Sequence, residues 1–466
     1  MEEIDKVLHI VMFPWLAIGH LKPFFRLSKC LARKGHRISF ISTPRNLQRI
    51  AEIPHDLVHL INLISLPFPE VEHLPPDAES SMDVSCVKQQ LLKIALDLLE
   101  PSVRSFLEST EPKPDWIVYD YASHWLPKMA AEIGISRAYF SLFTAAFMAF
   151  FGPPAALMNG ENARSTAEDY TVVPEWIPFP SNMAFRVYEM TKNMEKDSSG
   201  NNYDSGTSDS LRFGISIHES DIVIFRSCEE FEPEWFDVVR KIYTKPVIPI
   251  GVVLPMEDEE DASEDNQEWP KIKDWLDSHE CNSVVYVALG TEATLTHKET
   301  RELAIGLEQS NFPFFWVLNR GNHSAILPDG FRERVSDRGF VYAKWAPQIK
   351  ILGHPAVGGF LTHCGWNSVT EALSFGRVLI LFPIMNDQGL NARLLQEKNV
   401  GIEIPRNEED GSFTSDSVAE SLRLAMVSEE GKRVKDNAKR MKDLFGNKSI
   451  SDNYIDSFVS FLIHYK

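Results

Sequence analysis

Two series of short apolar segments, each followed by a stretch with helical apolar spacing, dominate this 466-residue chain. In the first series, residues 7–12 form a short apolar run, interrupted only by His9, of the kind that becomes a parallel strand buried on both faces. Residues 21–33 follow with helical spacing, and Gly35 is placed to stop that helix. Further strands are predicted at 36–41, 116–119, 138–141 and 222–225. The second series predicts strands at 284–289, 314–318, 340–345, 359–363 and 378–382, with helices starting near Lys298, Gln348, Asn367 and Gln388. Strands alternating with helices close as parallel sheets covered on both faces. The expectation is an α/β fold of two doubly wound domains facing across a cleft, with ligands at the carboxyl ends of the strands.

The series are separated by residues 256–265, which carry a dense acidic run that cannot pack a core. This sets the first domain at 1–245, an acidic linker at 246–270 and the second domain at 271–448. A last helix, about 449–466, is expected to cross back onto the first domain. The stretch 198–210, rich in Ser, Gly, Asn and Asp, reads as a loop.

Net charge is −19, and no basic patch is present, which argues against a nucleic-acid partner. Five cysteines without a CxxC pair suggest free thiols in a reducing compartment. No run approaches the roughly 18 apolar residues of a membrane helix, and the N-terminus lacks the basic region of a signal peptide. A cytoplasmic monomer without membrane insertion is expected.

The densest chemistry lies between Trp345 and Gln388. A predicted strand ends at His363, Gly365 makes the turn, and a helix opens near Asn367, where free N–H groups attract anions. His363, Asn367 and Ser368 would add donors for a diphosphate, and Glu371, one turn on, could accept ribose hydroxyls. A capping asparagine beside a buried histidine explains the same pattern. Trp345, in Trp345-Ala346-Pro347-Gln348, offers a face for a base, and Gln348 could reach base or ribose; a rim tryptophan before a helix-starting proline would look identical. Asp387 and Gln388 offer acceptors and donors to sugar hydroxyls; a lone Asp at such a place usually caps the helix, and Asp387 could do both.

Taken together at their spacing, these residues resemble the signature box of plant UDP-dependent glycosyltransferases, the large inverting family one. The match includes Trp345, Pro347, Gln348, His354, Gly359, His363, Gly365, Trp366, Asn367, Ser368, Glu371, Asp387 and Gln388. It departs at Gly376-Arg377-Val378, where most members carry Gly-Val-Pro. Outside the box, Phe13-Pro14-Trp15 through Pro23 resembles the family's opening loop, and the stretches 42–46, 119–125 and 226–232 resemble the branch numbered 91. The resemblance implies the GT-B architecture. It also implies that Trp345 and Ala346 border uracil and that Gln348 and Glu371 hold ribose. Gly290, Thr291, His363, Gly365, Asn367 and Ser368 would meet the phosphates, and Thr144, Trp366, Asp387 and Gln388 the sugar. UDP-glucose would be a co-substrate, with neither cofactor nor metal, since no Asp-x-Asp stands at a strand end.

His20 follows the first strand, where a histidine can deprotonate an acceptor hydroxyl. Asp120 closes the strand 116–119 and can fix the imidazole tautomer. Each alone has a plain alternative, a loop histidine and a strand-end cap, but family members pair a His and an Asp at these positions. Phe13, Trp15, Phe143 and Phe147 are candidates for an apolar acceptor pocket. The expected reaction is inverting glucosyl transfer to a hydroxyl of a flavonoid, terpenoid, phenolic or glycoside. Other UDP-sugar donors (rhamnose, xylose, galactose) and a non-catalytic UDP-sugar-binding protein remain alternatives. A nicotinamide enzyme is disfavoured because the first turn lacks GxGxxG.

Overall fold

The structure is a computed structural model that describes residues 6–50, 52–159, 164–198, 205–255, 268–318 and 327–465. The acidic run 256–265 and residues 199–204 of the Ser/Gly-rich loop lie outside them. The first sheet contains β1 (His9–Phe13), β2 (Arg37–Ser42), β3 (Ile61–Ser65), β4 (Trp116–Tyr119), β5 (Ser136–Ser141), β6 (Ile222–Phe225) and β7 (Val247–Pro249). Its seven strands run parallel in the order β3-β2-β1-β4-β5-β6-β7. The second contains β8 (Val284–Ala288), β9 (Phe314–Val317), β10 (Gly339–Tyr342), β11 (Val357–Thr362), β12 (Val378–Leu381) and β13 (Gly401–Glu403). Its six strands, also parallel, follow β10-β9-β8-β11-β12-β13.

The apolar runs become strands because both of their faces are covered. Along β1, Val11 and Phe13 enter one core cluster while Ile10 and Met12 enter the other, the two-residue alternation of a central strand. The helix Ile18–Arg33 ends as its sequence suggests. Gly35 takes φ +88°, its N–H donates to Ala32 O, and the His36 N–H donates to Leu31 O, completing a Schellman cap.

The span read as linker already begins with structure, since Val247–Pro249 pairs with β6 as an edge strand. The last helix, Lys448–His464, puts Ile455, Phe458 and Leu462 into the cluster around β1, and Trp116 Nε1 donates to Leu462 O at 3.2 Å. It thereby returns to the first sheet.

Both sheets have a switch point, where chain order reverses and the loops on either side splay apart to leave a crevice. In the first sheet it lies between β1 and β4, in the second between β8 and β11. The domains are joined across the cleft by buried bonds, including the Arg393 guanidinium on both Glu189 oxygens at 2.8 and 2.9 Å.

Candidate active site

His20 and Asp120 flank the first switch point. The helix begins at Ile18, after Ala17 in extended backbone, so His20 lies in its first turn. The sequence had suggested a start at Leu21. Asp120 is the first residue after β4 and is buried. Its Oδ1 accepts the Tyr121 N–H at 2.8 Å, while Oδ2 accepts the Trp15 N–H at 3.2 Å and His20 Nδ1 at 2.7 Å. Two main-chain donors thus hold the carboxylate, and the carboxylate holds the imidazole through Nδ1. Burial opposes a charged imidazole. The charge and hydrogen bond of Asp120, together with the charges of Glu292 and Asp387, outweigh it, so the His20 pKa is raised.

Aromatic rings surround this pair. Phe143 presents its edge to His20 at 6.0 Å, Tyr121 lies at 6.2 Å, and Tyr121 stacks on Phe213 at 4.3 Å. Phe147 stacks on Phe143 from behind. Of the four predicted pocket aromatics, only Phe143 lies beside His20 and is partly open. Phe13 is core, packed on Trp125, and Trp15 is buried against Tyr121.

Gly290 and His363 flank the second switch point. A Cβ on Gly290 would lie 2.7 Å from His363 Nε2, and one on Gly365 would lie 2.4 Å from it. The ring is therefore clamped between two glycine backbones. The positive φ of this turn belongs to Cys364 (+69°), so Gly365 is required for proximity rather than for its dihedral angle. Burial pulls the His363 pKa down to about 4, which leaves the imidazole neutral at physiological pH. Its Nδ1 is buried and meets no hydrogen-bond partner among the described residues. Thr291 is exposed on the loop beside it.

Gln348 and Glu371 are bonded to each other, Nε2 to Oε2 at 2.8 Å, with Ser368 Oγ 3.3 Å from the same Nε2. Arg26, from the first domain, reaches Glu371 Oε1 at 3.2 Å. β10 ends at Tyr342, so Trp345 stands in the following loop rather than at a strand end; it is 40% exposed, with the Lys22 ammonium 5.2 Å from its ring centre. Ala346 beside it is buried, and Pro347 is the N-cap of helix Gln348–Gly353 rather than its first residue.

Three predicted ligand contacts need correction. The Trp366 indole is buried between the domains, donating to Arg226 O at 2.8 Å and packing near Phe231 and Phe445, so only its main chain is left for a sugar. Thr144 is fully buried; its hydroxyl caps helix Ala145–Phe151 through the Phe147 N–H and lies 3.4 Å from Asn391 Oδ1. Asn367 is neither an N-cap, a place held by Gly365, nor an open donor. Its Nδ2 donates to Gly19 O at 2.8 Å and its Oδ1 accepts from Arg226. Asp387 in turn makes no capping bond. Its Oδ2 accepts Asn391 Nδ2 at 2.7 Å, and burial pushes its pKa up to about 6 against that bond. Gln388 gives its oxygen to the N–H groups of Ile384 and Met385, both at 3.0 Å, which directs its NH2 elsewhere.

Sequence reasoning passed over Tyr121, Arg226, Glu292 and Asn391. Glu292 reaches across the cleft to Ser81 Oγ at 2.5 Å. Tyr121 and Arg226 directly follow or adjoin strand ends, a signal that was legible; the other two are recognisable only through their partners. Among the described residues, no group of three or more His, Cys, Asp or Glu is placed to hold a metal, and no helix is long and apolar enough to cross a membrane.

Two parallel Rossmann-like domains whose switch points face one another make the GT-B architecture. Residues 239–456 match the family model for UDP-glucoronosyl and UDP-glucosyl transferases. UDP-glycosyltransferase 91C1 of Arabidopsis thaliana is 54% identical over 99% of this chain and 98% of its own. The soyasaponin III rhamnosyltransferase of Glycine max is 40% identical over 99% and 97%. In fold, the chain resembles UGT73P12 of Glycyrrhiza uralensis, solved with glycyrrhetinic acid 3-O-monoglucuronide, with a TM-score of 0.80, 23% identity and coverage of 98% and 96%. The chain belongs to the UDP-glycosyltransferase family.

Proposed function

We propose that the chain transfers glucose from UDP-glucose, with inversion and without a metal ion, to a hydroxyl of a small, largely apolar plant metabolite or of its glycoside. The observation that carries this reading is the 2.7 Å His20–Asp120 bond, set among aromatic rings and facing the helix start of the opposite domain. His20 Nε2 takes the acceptor proton as the acceptor oxygen bonds to the anomeric carbon. The bond from that carbon to the diphosphate breaks on the opposite face, so an α-linked donor yields a β-linked product. Asp120 stabilises the imidazolium that forms. Negative charge on departing UDP is met by main-chain N–H groups at the start of helix Trp366–Ser374, by neutral His363, and by Ser368 and Thr291. Asp387, ionised above about pH 6, and the Gln388 NH2 hold sugar hydroxyls.

Rhamnose is the second donor reading, favoured by the rhamnosyltransferase among the relatives. A donor-by-acceptor screen with mass-spectrometric readout, run in EDTA, decides between them. UDP-glucose, UDP-rhamnose, UDP-xylose and UDP-galactose would be paired with flavonols, terpenoids, small phenolics and their monoglucosides. Glucosylated product is expected. Product from UDP-rhamnose alone overturns the donor, and no product from any pair returns the chain to a binding role.

Two variants test the donor side. Trp345→Ala is expected to weaken UDP binding about tenfold through lost stacking, commonly about 1–3 kcal/mol per base, while kcat at saturating donor stays near the parent value. Gly365→Ala forces a methyl against the His363 ring; overpacking of this kind costs about 1–3 kcal/mol, so a similar loss of UDP affinity is expected by calorimetry. Undiminished affinity in both would remove this site from UDP recognition.

A further inference from the structure

Arg226 is the first residue after β6, is fully buried, and belongs to the first domain, yet most of its reach is into the second. Nε donates to Val252 O at 2.6 Å, which fixes the guanidinium plane. Nη1 donates to Asn367 Oδ1, and Nη2 to Thr370 Oγ1 at 3.0 Å. Its main-chain O accepts Trp366 Nε1 at 2.8 Å. One residue therefore holds three side chains of the helix Trp366–Ser374, including its first turn.

The other end of this connection lies beside His20. Pro23, inside the helix Ile18–Arg33, has no N–H to give the carbonyl four residues back, which is Gly19 O. Asn367 Nδ2 donates to that carbonyl at 2.8 Å. With Asn367 Oδ1 held by a guanidinium, its amide cannot turn over, and its NH2 must face Gly19. Arg226, Asn367 and Gly19 thus connect the helix start that faces the leaving group to the residue preceding His20.

We propose that Arg226 is a positioning residue whose clasp on Asn367 and Thr370 sets the separation between His20 and the nucleotide-sugar helix. The proposal rests on His20 being the base. It assigns Arg226 to alignment of the two domains, while the proton affinity of His20 remains governed by Asp120.

The test compares Arg226→Met, Arg226→Lys and Thr370→Val in the full chain, using the acceptor found in the screen. Arg226→Met is expected to lose tenfold or more in kcat and three- to tenfold in UDP affinity, with the acid limb of the pH–rate profile unmoved. Arg226→Lys should recover only part of this, because an ammonium cannot serve the same planar set of acceptors. Thr370→Val removes one acceptor and should lower kcat about threefold, again without moving the limb. Kinetics and UDP affinity within twofold of the parent in folded Arg226→Met would overturn the proposal, as would full recovery with lysine. If Arg226→Met does not fold, parental kinetics in Thr370→Val would overturn it and confine Arg226 to stability. A shifted acid limb would instead count against the assignment of His20.

Discussion

His20→Ala is expected to lower the rate of glycosyl transfer by about 10²–10⁴-fold, the usual contribution of a positioned acid–base group, while leaving UDP affinity within twofold. The asymmetry follows from the architecture. His20 belongs to the first switch point, bonded to Asp120 and bordered by Phe143 and Tyr121. Trp345, Gln348, His363 and Glu371, the groups proposed to hold UDP, all belong to the second domain. Removing the imidazole deletes the proton acceptor without touching a donor-side hydrogen bond. Single-turnover kinetics with saturating UDP-sugar, alongside calorimetric UDP titration, separate the two effects. Unchanged turnover would sink the base assignment, and a comparable loss of UDP affinity would show that the domains are not independent in this respect.

What the sequence makes legible here is whatever depends on local pattern. The central strands were readable because parallel strands covered on both faces are continuous apolar runs; 116–119 and 222–225 match β4 and β6 to the residue. Three edge strands were not readable, for the same reason reversed. β7 and β13 have three residues each, and β3 (INLIS) is largely uncovered, so neither length nor apolar continuity marks them. The start of the first long helix was placed late because Gly19, His20 and Pro23 discourage a helix locally. The fold tolerates them by giving Gly19 O a donor from another domain.

The site divides along the same line. Residue types and their order along the chain brought His20, Asp120, Gly290, His363, Gln348 and Glu371 to the carboxyl ends of the two sheets. The direction in which each side chain points was a different matter. Asn367 looked like a phosphate donor, yet its amide is engaged by Gly19 and Arg226, separated from it in sequence by 348 and 141 positions. Trp366 turned to Arg226, and Thr144 to its own helix and Asn391. These partners are set by how two domains close, which no local window contains.

Asp120→Asn is expected to cost about 10³-fold or more in kcat, by analogy with the effect of neutralising the acid of a catalytic His–Asp pair, although it preserves size and shape. The reason lies in the three donors that converge on the carboxylate. Oδ1 accepts the Tyr121 N–H, and Oδ2 accepts both the Trp15 N–H and His20 Nδ1. An asparagine has one oxygen. If it takes the Oδ1 position, the NH2 faces Trp15 N–H and His20, and the imidazole can bond to it only with Nδ1 as acceptor. The proton then sits on Nε2, where it cannot receive one from the acceptor hydroxyl. If the oxygen takes the Oδ2 position instead, the NH2 is forced against the Tyr121 N–H, leaving a buried donor facing a donor. Either arrangement damages the base. The residual activity should also titrate differently. Transfer requires neutral His20, so a raised imidazole pKa moves the acid limb of the parent's kcat/KM profile to higher pH. Asparagine removes the carboxylate charge, the largest of the causes that raise that pKa, while burial continues to act in the opposite direction. The limb should therefore move to lower pH, with Glu292 and Asp387 limiting how far it falls. A loss under tenfold, or a limb that stays where it was, would mean that Asp120 neither orients His20 nor supports its charge.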